Sequence, residues 1–83
     1  MSKHDRTFAA IFATPTRSTI AWRDAEALLL SLGATKSEGR GSRVRFLLND
    51  RKPDLHRPHP GKELRRYAVV EVRDFLTQAG FTP

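Results

Sequence analysis

The sequence predicts an α+β domain, with helices laid on one face of a small antiparallel sheet. Three observations point there. Two groups of apolar residues recur at helical spacing: Ala25, Leu28, Leu29 and Leu32, then Ala68, Val72, Phe75, Leu76 and Ala79. Between them, Val44, Phe46 and Leu48 alternate with Arg43, Arg45 and Leu47, the period of a strand with one buried face. Turn signals bound that strand, Gly39-Arg40-Gly41-Ser42 before it and Asn49-Asp50 after it.

The elements follow in order. Lys3 to Ala13 is predicted as a first helix, with Phe8, Ile11 and Phe12 on one side and His4 one turn earlier. Thr14-Pro15-Thr16 stops it, because proline disfavours α geometry in the residue before it. One domain of residues 1–83 is expected, with 1–16 as an accessory helix and 20–83 as the core. A second helix runs from Trp22 to Leu32, and Gly33 suits the left-handed position that closes it. Trp22 is expected to plug the core near the helix start. Ala34 to Glu38 reads as a short strand and Arg43 to Leu48 as the next, with Arg43 and Arg45 on the open face. Arg51 to Arg57 reads as the returning strand, and Pro53 confines it to an edge or to a late start. The last helix begins between Lys62 and Arg66 and runs to about Ala79. Gly80 ends it, and Phe81 folds back on it. Arg65, Arg66 and Arg73 lie off its apolar stripe. Without the first helix the order is α-β-β-β-α around a three-stranded antiparallel sheet, that of double-stranded-RNA-binding domains.

Charge points to the partner. The 83 residues carry 15 Lys+Arg against 9 Asp+Glu, a formal net charge of +6. That balance favours an anionic partner, most often nucleic acid. With 39% hydrophobic residues the chain has enough apolar side chains for one core. It has no cysteine, which excludes disulfides, thiol nucleophiles and cysteine metal sites. The glycine-rich turn at Gly39–Ser42 has neither Walker-A nor GxGxxG spacing, so it carries no nucleotide-binding claim. No apolar run approaches the length of a membrane span. The start, Met1-Ser2-Lys3-His4-Asp5, has no signal-peptide apolar region, and a reducing cytoplasmic setting is expected.

One stretch stands out for chemistry: Leu55-His56-Arg57-Pro58-His59-Pro60-Gly61-Lys62-Glu63. It holds two of the three histidines and joins the last strand to the last helix. Pro58 and Pro60 stiffen the segment around His59. A rigid connection presenting imidazole and cations suits phosphate chemistry. The alternative is that these histidines only hydrogen-bond the backbone. Lys62, Arg65 and Arg66 oppose the dipole at the start of the last helix, a conflict relieved where cations meet an anion.

Four passages carry a resemblance to a known family. They are Leu28-Leu29-x-x-Leu32-Gly33-Ala34, Gly41-Ser42-Arg43-Val44-x-Phe46, His56-Arg57-Pro58-His59-Pro60-x-Lys62-Glu63, and Val72-Arg73-x-Phe75-Leu76-x-x-Ala79-Gly80. From Trp22 to the C-terminus the chain resembles the HicA toxins of bacterial and archaeal toxin–antitoxin pairs, in a longer subgroup with an N-terminal helix. The resemblance implies the double-stranded-RNA-binding-domain fold and metal-free cleavage of messenger RNA, which blocks translation. It implies a HicB-type antitoxin partner that covers the active face. One departure matters. The resemblance would place a catalytic histidine just after Gly41-Ser42, and here that position is Arg43, which stays protonated and is a poor general base.

Metal-free RNA cleavage uses the substrate's own 2′-hydroxyl. One group takes its proton, another protonates the leaving 5′-oxygen, and cations stabilise the phosphorane. His59 and His56 are the candidates for the proton roles. Arg43, Arg45, Arg57, Lys62, Arg65 and Arg66 are the candidates for RNA binding. Strand alternation puts His56 and Arg57 on opposite faces, so only one of them faces the substrate if the strand stays regular. A metal site at His56 and His59 with Asp54 or Glu63 competes, but the spacing matches no defined ligand set. The expectation is a cofactor-free endoribonuclease acting on messenger RNA. The alternative is a non-catalytic RNA-binding module of the same fold.

Overall fold

The computed structural model describes residues 2–58 and 61–83. Its elements are α1 (Lys3–Ile11), α2 (Trp22–Ser31), β1 (Thr35–Glu38), β2 (Arg43–Leu47), β3 (Asp54–His56) and α3 (Arg66–Gln78). The strands form one antiparallel sheet in the order β1-β2-β3. This is the predicted α-β-β-β-α order with an added N-terminal helix.

α1 opens on a reciprocal cap. The Asp5 N–H donates to Ser2 Oγ at 3.1 Å, and the Ser2 N–H donates to Asp5 Oδ2 at 3.2 Å. The cap gives partners to N–H groups that a helix start otherwise leaves without them. The helix ends at Ile11, short of the predicted Ala13. Ile11 is fully enclosed, and Phe8 and Phe12 stack beside it with ring centroids 4.8 Å apart. Arg73 of α3 locks this end down. Its Nε donates to the Ile11 carbonyl at 2.9 Å, and Nη2 donates to the Ala13 carbonyl at 3.3 Å and to Thr16 Oγ1 at 3.1 Å. Arg73 does lie off the apolar stripe. It is half-buried because it satisfies carbonyls that the end of α1 leaves open.

The sheet follows the alternation read in the sequence. Val44 and Phe46 are completely buried and Arg43, Arg45 and Leu47 exposed. Arg43 lies opposite His56, Val44 opposite Leu55 and Arg45 opposite Asp54. The hairpin closes at Asn49-Asp50, both with positive φ (48° and 67°), as a two-residue turn of the primed type requires. Leu48 and Arg51 exchange both backbone hydrogen bonds across it, at 3.0 Å each. Pro53 has no N–H to give, but its carbonyl accepts from the Phe46 N–H at 3.2 Å, and the regular strand starts only at Asp54. The predicted return from Arg51 therefore keeps its register while the regular strand is shorter. Asn49 also ties the turn to α3, donating to the Ala79 carbonyl at 2.8 Å.

One core lies between the helices and the inner face of the sheet. Trp22, Leu28 and Leu29 of α2 share this core with Phe46, with the Trp22 and Phe46 ring centroids 6.1 Å apart. α3 contributes Val69, Val72, Phe75 and Leu76, all buried. The stripe is rotated slightly from the predicted one: Val69 is fully enclosed and Ala68 only half-buried. Ile20 and Leu64 clip the starts of α2 and α3 together, the Leu64 N–H donating to the Ile20 carbonyl and the Trp22 N–H to the Lys62 carbonyl, both at 2.8 Å. Gly33 and Gly80 close α2 and α3 at φ of 103° and 99°.

Candidate functional site

The end of β3 and the start of α3 together line a cleft. Ser42, His56, Arg57, Leu64, Arg65 and Tyr67 line a hollow of about 320 Å³. The β2–β3 register fixes its sheet side. The Arg57 N–H donates to the Ser42 carbonyl at 2.8 Å, carrying the ladder one step past His56. His56 is exposed on the open face beside Arg43, its cross-strand partner. The other wall is the first turn of α3. This helix has Arg65 at its N-cap, no capping side chain and no acidic residue in its first turn. Its first N–H groups and the surrounding cations are thus left to favour an anion.

The candidate cations fall into two groups. Arg45 and Arg57 are committed. Arg45 Nε donates to Asp54 Oδ1 at 2.8 Å and Nη2 to Asp54 Oδ2 at 3.2 Å, a two-pronged pair across the sheet. Arg45 holds the Asp54 carboxyl below the ordinary carboxylate range, with Arg43 and His56 adding to the effect, and Asp54 raises the Arg45 guanidinium in return. Arg57 Nη2 donates to Glu38 at 3.0 and 3.1 Å, and the guanidinium lies 5.9 Å from the centre of the Trp22 ring. Its hydrogen bond to Glu38 lowers that carboxyl. Arg57 thus faces the helix side of the sheet, opposite to His56. Arg43, Lys62, Arg65 and Arg66 form the second group. All four are exposed and make no ion pair or side-chain hydrogen bond among the described residues.

His59 lies outside the described residues. Among the described residues, no group of three or more His, Asp or Glu side chains comes together to hold a metal ion. Asp54 is engaged by Arg45, and Glu63 sits in a bridge to Ala21. Two neighbours of the site were not singled out in the sequence. Arg23, in the first turn of α2, shares a hollow with Lys62 and Arg65. Tyr67 lies in the cleft wall and is 61% exposed. Its signal was there: Tyr67 stands two positions before Val69, about 200° around the helix from the buried stripe.

Fold and site together define a small α+β domain with the α-β-β-β-α order of double-stranded-RNA-binding domains, one cationic end and a cleft lined in part by His56. The family model described as HicA toxin of bacterial toxin–antitoxin matches residues 22–81. The chain belongs to this HicA toxin family, and family membership implies a cognate antitoxin as partner. No curated protein and no solved structure matches the chain. Residues 2–21, ahead of the matched region, are joined to it by the enclosed Ile11 and by the Arg73 tether. Among the described residues, no helix is long and apolar enough to cross a membrane.

Proposed function

We propose that the chain is a metal-independent endoribonuclease that cleaves messenger RNA in the cytoplasm and blocks translation until a HicB-type antitoxin covers it. The observation that carries the reading is the cleft itself. His56 stands beside Arg43 on the sheet and lines one hollow with Arg65, the N-cap of an uncapped helix start. A phosphate seated there meets cations and backbone N–H groups on one side and an imidazole on the other.

The reaction is an attack of the 2′-oxygen on the adjacent phosphorus. The P–O5′ bond breaks, leaving a 2′,3′-cyclic phosphate and a free 5′-hydroxyl. One imidazole takes the 2′-hydroxyl proton, and an acid returns a proton to the 5′-oxygen. Histidine suits both roles because its ordinary pKa lies near neutral pH. His59 and His56 are proposed for them. Arg43 and Lys62 are proposed to stabilise the charge gathering on the phosphorane oxygens. Arg65 and Arg66 are proposed to hold flanking phosphates, and the committed Arg45 and Arg57 to shape the face and contribute to its field.

The test is incubation of purified protein with RNA in excess EDTA. Cleavage to cyclic-phosphate ends supports the reading. Tight RNA binding without cleavage would replace it with the second one, a non-catalytic RNA-binding module. Arg43 at the family's histidine position is the observation that favours that alternative.

A further inference from the structure

We propose that Tyr67 is a base-stacking residue, and that the RNA entering this cleft is single-stranded at the point of contact. The proposal rests on the RNA reading above and names its substrate class.

Tyr67 is the chain's only tyrosine. Its side chain is 61% exposed, whereas Val69, Val72, Phe75 and Leu76 of the same helix are at most 3% exposed. It makes no hydrogen bond, ion pair or ring contact among the described residues. The fold therefore makes little use of this ring. Its position is specific nonetheless. It lies in the wall of the cleft that holds His56 and Ser42, two positions after Arg65 and next to Arg66, neither of which makes an ion pair or side-chain hydrogen bond among the described residues. A flat apolar ring beside cations is the pairing that single-stranded nucleic acid meets with a base and its phosphates.

The shape of the site selects among RNA forms. At about 320 Å³ the cleft is at the small end of ligand sites, a size that suits one nucleotide. A paired base is already stacked on both faces and has none to offer, whereas an unpaired one can be splayed onto an aromatic ring. In-line attack by a 2′-oxygen also needs the two nucleotides at the scissile phosphate turned apart, and a ring that captures one base holds them so. Tyr67 is therefore a positioning residue, acting through the base it holds.

The test uses the full chain and a short single-stranded oligoribonucleotide with 2′-O-methyl sugars and one 2-aminopurine, a base whose fluorescence is quenched on stacking. The wild-type protein should quench the probe. Tyr67→Phe should keep both quenching and affinity, because the ring is what stacks. Tyr67→Ala should lose the quenching and bind about tenfold or more weakly, the scale of one base–aromatic stack. Its salt dependence should be unchanged, since the ring releases no counterion. A duplex of the same sequence should compete poorly. Since the ring is exposed, Tyr67→Ala should unfold with wild type in a thermal melt, so weaker binding reports on the site. The probe cannot be cut, so these results support the proposal even if the chain proves non-catalytic. Full affinity and quenching by Tyr67→Ala would overturn it, as would equal affinity for duplex. So would a Tyr67→Ala protein that binds RNA normally but loses its antitoxin, which would assign the ring to a protein interface. A wild-type protein that binds no RNA would remove the RNA reading and this proposal with it.

Discussion

Replacing Arg73 with Ala should destabilise the whole domain, although Arg73 touches no part of the cleft. Its guanidinium donates three hydrogen bonds, to the Ile11 and Ala13 carbonyls and to Thr16 Oγ1. A hydrogen bond to a charged group contributes about 1.5–3 kcal/mol, and its loss leaves acceptors without a partner. The three bonds share one donor group and a half-buried setting, so they do not add in full. A loss of about 2–3 kcal/mol is expected. In a domain of this size each kcal/mol moves Tm by about 4–8 °C, so Tm should fall by roughly 10–20 °C. Thermal and urea unfolding followed by far-UV circular dichroism would measure it. Arg66→Ala on the same helix is the control, since that side chain is exposed and has no ion pair or side-chain hydrogen bond among the described residues, and it should change stability by at most about 0.5 kcal/mol. Arg73→Lys keeps the charge but not the planar fork, and should recover only part of the loss. Limited proteolysis of Arg73→Ala should show new cutting between residues 12 and 19. An Arg73→Ala protein that melts with wild type would refute the reasoning, because the tether would then carry no net free energy.

The remaining predictions concern the charged face and the chemistry. Arg43→Ala should weaken RNA binding more than Arg17→Ala, and should lower the slope of log affinity against log salt by about one, as measured by filter binding or fluorescence titration. An affinity indifferent to salt would remove the electrostatic basis of the RNA reading. His59→Ala should slow RNA cleavage by about a hundredfold or more while keeping the fold and RNA affinity; full cleavage by the folded variant would sink the assignment and move it to His56. Asp54 is held below its ordinary pKa by Arg45, so its contribution to stability is present above the unfolded value of about 4 and is lost as pH falls through the folded value. The gap in urea midpoint between wild type and Asp54→Asn should therefore be present at pH 7 and close on acidification; a gap that widened would contradict the sign. In the antitoxin complex, carboxylates should lie near Arg43, Arg45 or Arg57 and the cleft should be screened from solvent; a complex structure with that face open would exclude direct occlusion.

Much of this architecture is written in short-range pattern. Alternation at Val44, Phe46 and Leu48 decides which strand face is buried, because successive side chains point to opposite sides whatever the partner strand. Helical stripes, Gly33, Gly80 and the Asn49-Asp50 turn are legible for the same reason: each depends on the conformations open to a few neighbouring residues. Tertiary structure decided what no period encodes. Among six candidate cations, only the strand register shows that Arg45 is taken up by Asp54, and only the packed structure shows that Glu38 and Trp22 are the groups that meet Arg57. Arg73 lies off the apolar stripe, as its place in the sequence implies, but its role exists only because the end of α1 is brought against α3. The same holds for Tyr67. Its exposure followed from its place opposite the stripe, but its nearness to His56 depends on where β3 hands over to α3. Periodicity reports which side of an element faces the core. Which group lies across from a charge or a ring depends on residues far away in the chain, and only the packed structure brings them into reach.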